Sequence, residues 1–315
     1  NSAPSATNVV IAPGTARVNS QLTASFTFSD VDNDPQGASV YEWSNGTAVI
    51  GTGATYTVAA TDAHKTLSVK VTPVASSGTS PSVAVSSTGL TIENSPPSIT
   101  SLVIGGSVGG KAYTGVVLNA SYSFQDADRD EEGASTYQWL RDGNAIGGAT
   151  ALAYTVTSDD IGVSLTVRVT PKDNFVSAQS GTPVVSPAIT PVNLAPVASN
   201  VRIVDAVGST PARRILAAVY DYADHEGDLA GNPLHVWKRN GVPVASSTSY
   251  VLGLSDAGSS ISVEITPVAQ SGTLTGLATA ATALNVPSVN VALNVSAGLK
   301  QLHFSWAVVT SATRY

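Results

Sequence analysis

Three short acidic runs carry most of the chemistry in this 315-residue sequence: Asp30, Asp32 and Asp34; Asp126, Asp128 and Asp130, with Glu131 and Glu132 behind them; and Asp224, Glu226 and Asp228. Oxygen-bearing side chains at alternate positions are what a hard cation such as calcium would take. The pattern is not that of the helix-flanked calcium loop. Glycine stands eighth (Gly37, Gly133, Gly231) instead of sixth, and the twelfth place holds Tyr41, Tyr137 or His235 where a bidentate glutamate belongs. Aspartates in a turn between two strands also serve simply as Asx-turn formers facing water. All three positions stay acidic although turn chemistry would accept Asn, Ser or Gly, so these residues leave calcium binding and plain turn formation both open.

Other reactive types are thinly supplied. With no cysteine, thiol chemistry, disulfides and thiolate metal sites are excluded. The histidines His64, His225, His235 and His303 are scattered without a matching Ser/Asp pattern. Paired carboxylates can hydrolyse glycosides only in a cleft that separates their pKa values, which a solvated turn between strands does not provide. Gly105-Gly106 and Gly109-Gly110 lack the Lys-Ser/Thr of a phosphate loop and read as hairpin connections. No catalytic residue is expected and the chain is not read as an enzyme. Trp43, Trp139 and Trp237 sit where a core anchor is expected, and since sixteen of the 19 aromatics fall on predicted strands, Tyr113, Phe175 and Tyr315 are the candidates for exposed stacking.

The acidic runs recur because the whole sequence recurs. Asn-x-x-Pro lead-ins stand at Asn1 to Pro4, Asn94 to Pro97 and Asn193 to Pro196, and proline after an extended residue makes a short, stiff joint. An alternating run follows each: Leu22, Ala24, Phe26, Phe28; Leu118, Ala120, Tyr122, Phe124; Leu216, Ala218, Tyr220, Tyr222. Period two marks a half-buried strand. The tryptophan strand comes after the acidic turn, then Tyr56, Tyr154 or Tyr250, then Leu67-Val69-Val71, Leu165-Val167-Val169 or Ile261-Val263-Ile265. The sequence shows no helical periodicity. A unit of about 95 residues with short strands and Gly/Pro/Asn/Ser turns fits a Greek-key sandwich of about seven strands. The expectation is all-β: repeats over 1–93, 94–192 and 193–284, and an incomplete fourth β-domain over 285–315.

Hydrophobic residues make up 43% and charged ones 12%, so cores can pack but the surface must be largely Ser, Thr, Ala and Gly. A net charge of −7 without a basic run argues against nucleic acid. No apolar stretch reaches the roughly 18 residues of a membrane span. Small β-rich extracellular domains of animals commonly use disulfides, so their absence favours a bacterial surface or secreted protein. Since Asn1 heads no signal peptide and 31 residues cannot close a fourth core, the chain is expected to be a piece of a longer protein.

The Asp-rich turn leading into Gly-Ala-Ser-x-Tyr-x-Trp in the first two units, replaced by Gly231-Asn232-Pro233-Leu234-His235-Val236-Trp237 in the third, resembles bacterial immunoglobulin-like repeats and is similar to cadherin-like and PKD-like modules. The stretch from Val289 through Leu302-His303-Phe304-Ser305-Trp306 resembles the opening of a fibronectin type III domain. The resemblance implies an extracellular spacer or adhesion array with an unidentified protein or glycan ligand. Each acidic loop is expected to face the preceding linker, putting Glu93 and Asn94 beside the Asp126 loop, where calcium would stiffen the joint. Two other roles remain open: an accessory binding region of a secreted polysaccharide-active enzyme or toxin, and the decoration of a virion or extracellular fibre. Edge strands left open by such sandwiches offer a route to self-assembly.

Overall fold

The computed structural model describes residues 1–46, 48–209, 213–288, 293–298 and 301–306. Alternation becomes structure directly. In β2 (Gln21–Ser29) Leu22 and Ala24 are buried and their neighbours exposed, and in β6 (Thr66–Thr72) Leu67, Val69 and Val71 are fully enclosed while Lys70 faces water. With β1 (Ser5–Ala12), β3 (Val40–Ser44), β4 (Val49–Thr52), β5 (Thr55–Thr57), β7 (Val85–Ser86) and β8 (Leu90–Thr91) these strands form two sheets. One is ordered β1-β2-β5; the other is β4-β3-β6-β7, with β8 also on β6. The acidic loop is the crossing from one sheet to the other, between β2 and β3.

The plan repeats. The second sandwich pairs β13 (Ala153–Thr155), β10 (Val117–Gln125) and β9 (Ser98–Gly105) against β12 (Asn144–Ala145), β11 (Thr136–Arg141), β14 (Leu165–Thr170) and β15 (Val184–Val185). The third pairs β16 (Val197–Asp205), β17 (Ile215–Ala223) and β20 (Ser249–Val251) against β19 (Val242–Ala245), β18 (Leu234–Arg239), β21 (Ser260–Thr266) and β22 (Thr279–Ala280), with β23 (Leu284–Asn285) also on β21. The first strand of each sandwich slips register at a bulge, where Asn8, Ser101 or Asn200 adopts a left-handed backbone.

Trp43, Trp139 and Trp237 are 0% exposed. Each indole stacks on the tyrosine of the facing sheet, with ring centroids 5.7, 5.3 and 5.6 Å apart for Tyr56, Tyr154 and Tyr250. Each Nε1–H is spent on a loop carbonyl, of Gly53, Ala151 and Ser247, at 2.9, 3.0 and 2.9 Å. These anchors occupy the core positions that their spacing in the sequence implies. Single 3-10 turns at Ala60–Asp62, Ser158–Asp160 and Leu254–Asp256 were not anticipated. Val108 and Lys111 pair across Gly109-Gly110, a tight hairpin.

The chain divides into two compact units. The first (1–112, 116–155 and 163–190) holds the first sandwich and nearly all of the second; the other (113–115, 156–162 and 191 onward) holds the third sandwich and a terminal hairpin of β24 (Leu293–Gly298) and β25 (Gln301–Trp306). Tyr315 lies outside the described residues. Among the described residues no helix is long and apolar enough to cross a membrane.

Candidate functional site

The three acidic loops share one geometry, with a distinct task for each carboxylate. The first caps its own turn: Oδ1 of Asp30, Asp126 and Asp224 accepts the backbone N–H groups two and four residues on. The turn closes through a left-handed residue before the third acid, Asn33, Arg129 or Gly227. The second acid receives the lead-in segment, accepting the N–H of Ser2 at Asp32, of Ser95 at Asp128 and of Leu194 at Glu226. The third, in the first and third sandwiches, receives the lead-in asparagine: Asn1 Nδ2 donates to Asp34 Oδ2 at 2.6 Å and Asn193 Nδ2 to Asp228 Oδ2 at 2.9 Å. Ser77 and Ser271 donate to the same carboxylates, and Thr79 and Thr273 donate N–H groups to the asparagine Oδ1 atoms, both at 2.6 Å. The acidic loop is therefore a clamp on the chain running into its own sandwich.

The second sandwich departs at two points and its neighbours follow. Asp173 stands where the others carry Ala75 and Ala269, and Phe175 where they carry Ser77 and Ser271. Asp173 is buried, and its Oδ2 takes the Nδ2 of Asn94 at 3.1 Å. Asp130, released from the lead-in asparagine, instead faces His64 of the first sandwich, with Nε2 to Oδ2 at 3.1 Å. His64 lies flat on Phe175, ring centroids 3.6 Å apart and planes 11° apart. Its own backbone is left-handed, φ 61°, at a place held by Gly162 (φ 78°) and Gly258 (φ 74°) in the other two sandwiches. A cavity of about 350 Å³ opens beside the pair, lined by Arg17, His64, Asn94, Phe175 and Gln179 among others.

Electrostatics separate the loops. Hydrogen bonds from Asn1 and Ser77 hold Asp34 below the ordinary carboxylate value, and those from Ser271 and Asn193 do the same for Asp228. Asp126 moves the other way: burial pushes it up, reinforced by the charges of Asp128 and Asp130. One carboxylate oxygen is buried without a hydrogen-bond partner in each loop, at Asp30 Oδ2, Asp126 Oδ2 and Asp224 Oδ2, and Glu226 Oε1 is left so as well. Where the first two sandwiches meet, His64 of the first and Asp128 and Asp130 of the second bring one ligand atom each to within 4.8 Å of one another.

The plain-turn reading of the acidic residues changes in detail. The first acid does form an Asx turn, but the second and third acids also accept hydrogen bonds or face a charged side chain, and Asp128 is only 6% exposed while Asp32 stays at the surface. The loops do meet the chain running into each sandwich, with Ser95 on Asp128. Glu93 turns away to Arg17 at 3.5 Å. Phe175 is not a free stacking platform, because His64 covers it, and Tyr113 meets His225 edge to face at 4.9 Å. Sequence reasoning passed over Asp62, Asp160 and Asp256, all enclosed at about 1% exposure or less. They cap the 3-10 turns through the N–H groups of Ala59, Thr157 and Gly253, and Tyr56 and Tyr250 donate to Asp62 and Asp256. Their signal was a Tyr followed six residues later by Asp in every unit.

No protein-family model and no curated protein matches the chain. Among solved structures, the fibronectin(III)-like modules of Clostridium thermocellum CbhA are 19% identical, with 58% of this chain and 94% of that one covered and a TM-score of 0.23. The three N-terminal domains of the bacteriophage RB49 highly immunogenic outer capsid protein Hoc are 16% identical, with 91% and 100% covered and a TM-score of 0.24. The chicken CNTN1 FN1–FN3 domains are 9% identical, with 90% and 99% covered and a TM-score of 0.23. The fold assigned above comes from the sheets and registers of this chain.

Proposed function

We propose that this chain is a non-catalytic extracellular spacer or adhesion array of a large bacterial surface or secreted protein, built of modules over 1–93, 94–192 and 193–284 and opening a fibronectin III-like module over 285–315. One observation carries this reading: the acidic residues are spent on holding the incoming chain, and Asp130 with Phe175 grips His64 of the preceding sandwich. Side chains committed to joints serve the transmission of position and force. Stretching a single chain tests the reading. Three unfolding steps of similar length are expected, each releasing on the order of 300 Å for roughly 90 residues at about 3.5 Å per residue. One cooperative rupture of the whole chain would contradict it.

Calcium at the acidic loops is a second element of the proposal, favoured by the buried, unpartnered oxygens of Asp30, Asp126 and Asp224 at equivalent places. At a calcium concentration of about 100 times the dissociation constant, linkage raises stability by about 2.7 kcal/mol. A melting temperature identical in EDTA and in millimolar calcium would remove calcium from the reading while leaving the spacer intact.

A further inference from the structure

We propose that His64, Asp128 and Asp130 form a site for a borderline divalent cation of the zinc class, bridging the first and second sandwiches. Its mechanical purpose rests on the spacer reading, whereas the binding itself does not. The donor set is one imidazole nitrogen and two carboxylate oxygens, all within 4.8 Å of one another and contributed by two sandwiches. Imidazole suits zinc and its transition-metal neighbours and is a poor ligand for calcium or magnesium, which separates this site from any ion held by the other two loops.

The distances are close to what coordination requires. A tetrahedral zinc with ligands at about 2.0–2.1 Å sets donor atoms about 3.3 Å apart. His64 Nε2 and Asp130 Oδ2 already stand 3.1 Å apart, and a carboxylate oxygen of Asp128 lies within 4.8 Å of both ligands. The orientation of the donors is fixed from behind, as ligands usually are. Phe175 holds the plane of the imidazole, Ser95 donates its N–H and hydroxyl to Asp128, and the N–H of Asp130 reaches Asp126 Oδ1 at 3.4 Å. Both Asp128 oxygens keep a lone pair for a metal.

A second observation, independent of the cluster, points to something bound. Asn94 is 7% exposed and leaves its Oδ1 without a partner, although Asn1 and Asn193 each satisfy that atom with a threonine N–H. Asn94 and His64 line the same cavity, which gives a water or an amide oxygen room to complete the coordination. Two carboxylates facing a dication give a locally neutral site, and an ion pair with His64 alone would employ only one of them.

Calorimetric titration of the full chain at about pH 7.5 tests the site with ZnCl2 and separately with CaCl2. One zinc per chain is expected, at least about 100-fold tighter than calcium, with a matching rise in melting temperature. His64→Gly, which installs the residue of the other two sandwiches, and Asp130→Asn should each weaken zinc about 100-fold or more while circular dichroism stays unchanged. Zinc that fails to bind the wild type, binds both variants unchanged, or is matched by calcium at the same site overturns the proposal. The stretching experiment is run in EDTA, so failure of the spacer reading is registered there and not in this titration.

Discussion

His64 lies on the face of Phe175 at 3.6 Å, and neither residue has a counterpart in the other two sandwiches. Glycine stands in place of the histidine and serine in place of the phenylalanine. A non-glycine residue in the left-handed region costs roughly 1–2 kcal/mol, so the contact is kept against a local penalty that Gly162 and Gly258 avoid. The substitution of Asp173 for alanine completes the exchange, because it draws the lead-in asparagine away from Asp130 and frees that carboxylate for the histidine.

The two rings should therefore show measurable coupling. In a double-mutant cycle of His64→Gly and Phe175→Ser, followed by chemical unfolding of the full chain, a coupling energy of about 0.5–1.5 kcal/mol is expected. Strictly additive effects would mean that the stack contributes nothing to the joint.

Asp126 provides a test of sign. Its carboxyl is raised by burial, so its contribution to stability is present below the ordinary value of 3.8 and is lost as the pH rises through the higher folded value. At neutral pH the charge opposes folding. Asp126→Asn keeps the Oδ1 acceptor for the N–H groups of Asp128 and Asp130 and removes the charge, so in EDTA it should melt at or above the wild-type temperature. Asp126→Ala loses the oxygen that accepts both N–H groups and should cost about 1–2 kcal/mol. Equal losses for the two variants in thermal unfolding would contradict this.

Asp34 and Asp228 carry the opposite sign. Their folded values lie below 3.8, so they stabilise above that pH and the contribution is lost as the pH falls through the folded values. Melting temperatures measured from pH 5 downward should drop less steeply for the double variant Asp34→Asn/Asp228→Asn than for wild type. Parallel curves would show that the clamps on Asn1 and Asn193 are not charge-assisted.

Each tryptophan anchors one core. Trp139→Ala should cost about 3–5 kcal/mol and remove the transition of the second sandwich, leaving the third near its wild-type stability. Calorimetry that shows every transition displaced together would speak against separate cores.

Much of the fold was legible because burial has period two. Leu22-Ala24 and Leu67-Val69-Val71 alternate with more exposed neighbours, and the sheets take the faces that this alternation assigns. The acidic triads were equally visible, but their partners were not. Asn1 reaches Asp34 across 33 positions within one sandwich and His64 reaches Asp130 across 66 between two, separations that only the folded arrangement closes. The joint was detectable in principle by laying the three units side by side, since His64, Asp173 and Phe175, where the first two sandwiches meet, break the pattern of their counterparts. The enclosed Asp62, Asp160 and Asp256 escaped notice because a carboxylate beside an apolar strand reads as a surface residue until its N–H donors are known.

His64, Asp130 and Phe175 are assigned here the task of holding the first two sandwiches in one arrangement. The absence of native cysteine allows spin labels to be placed cleanly at Val49→Cys and Val185→Cys, both exposed, one on each sandwich. Pulsed dipolar spectroscopy in EDTA should give a single narrow distance distribution that broadens in His64→Gly/Phe175→Ser. A wild-type distribution already as broad as that of the variant would refute that assignment.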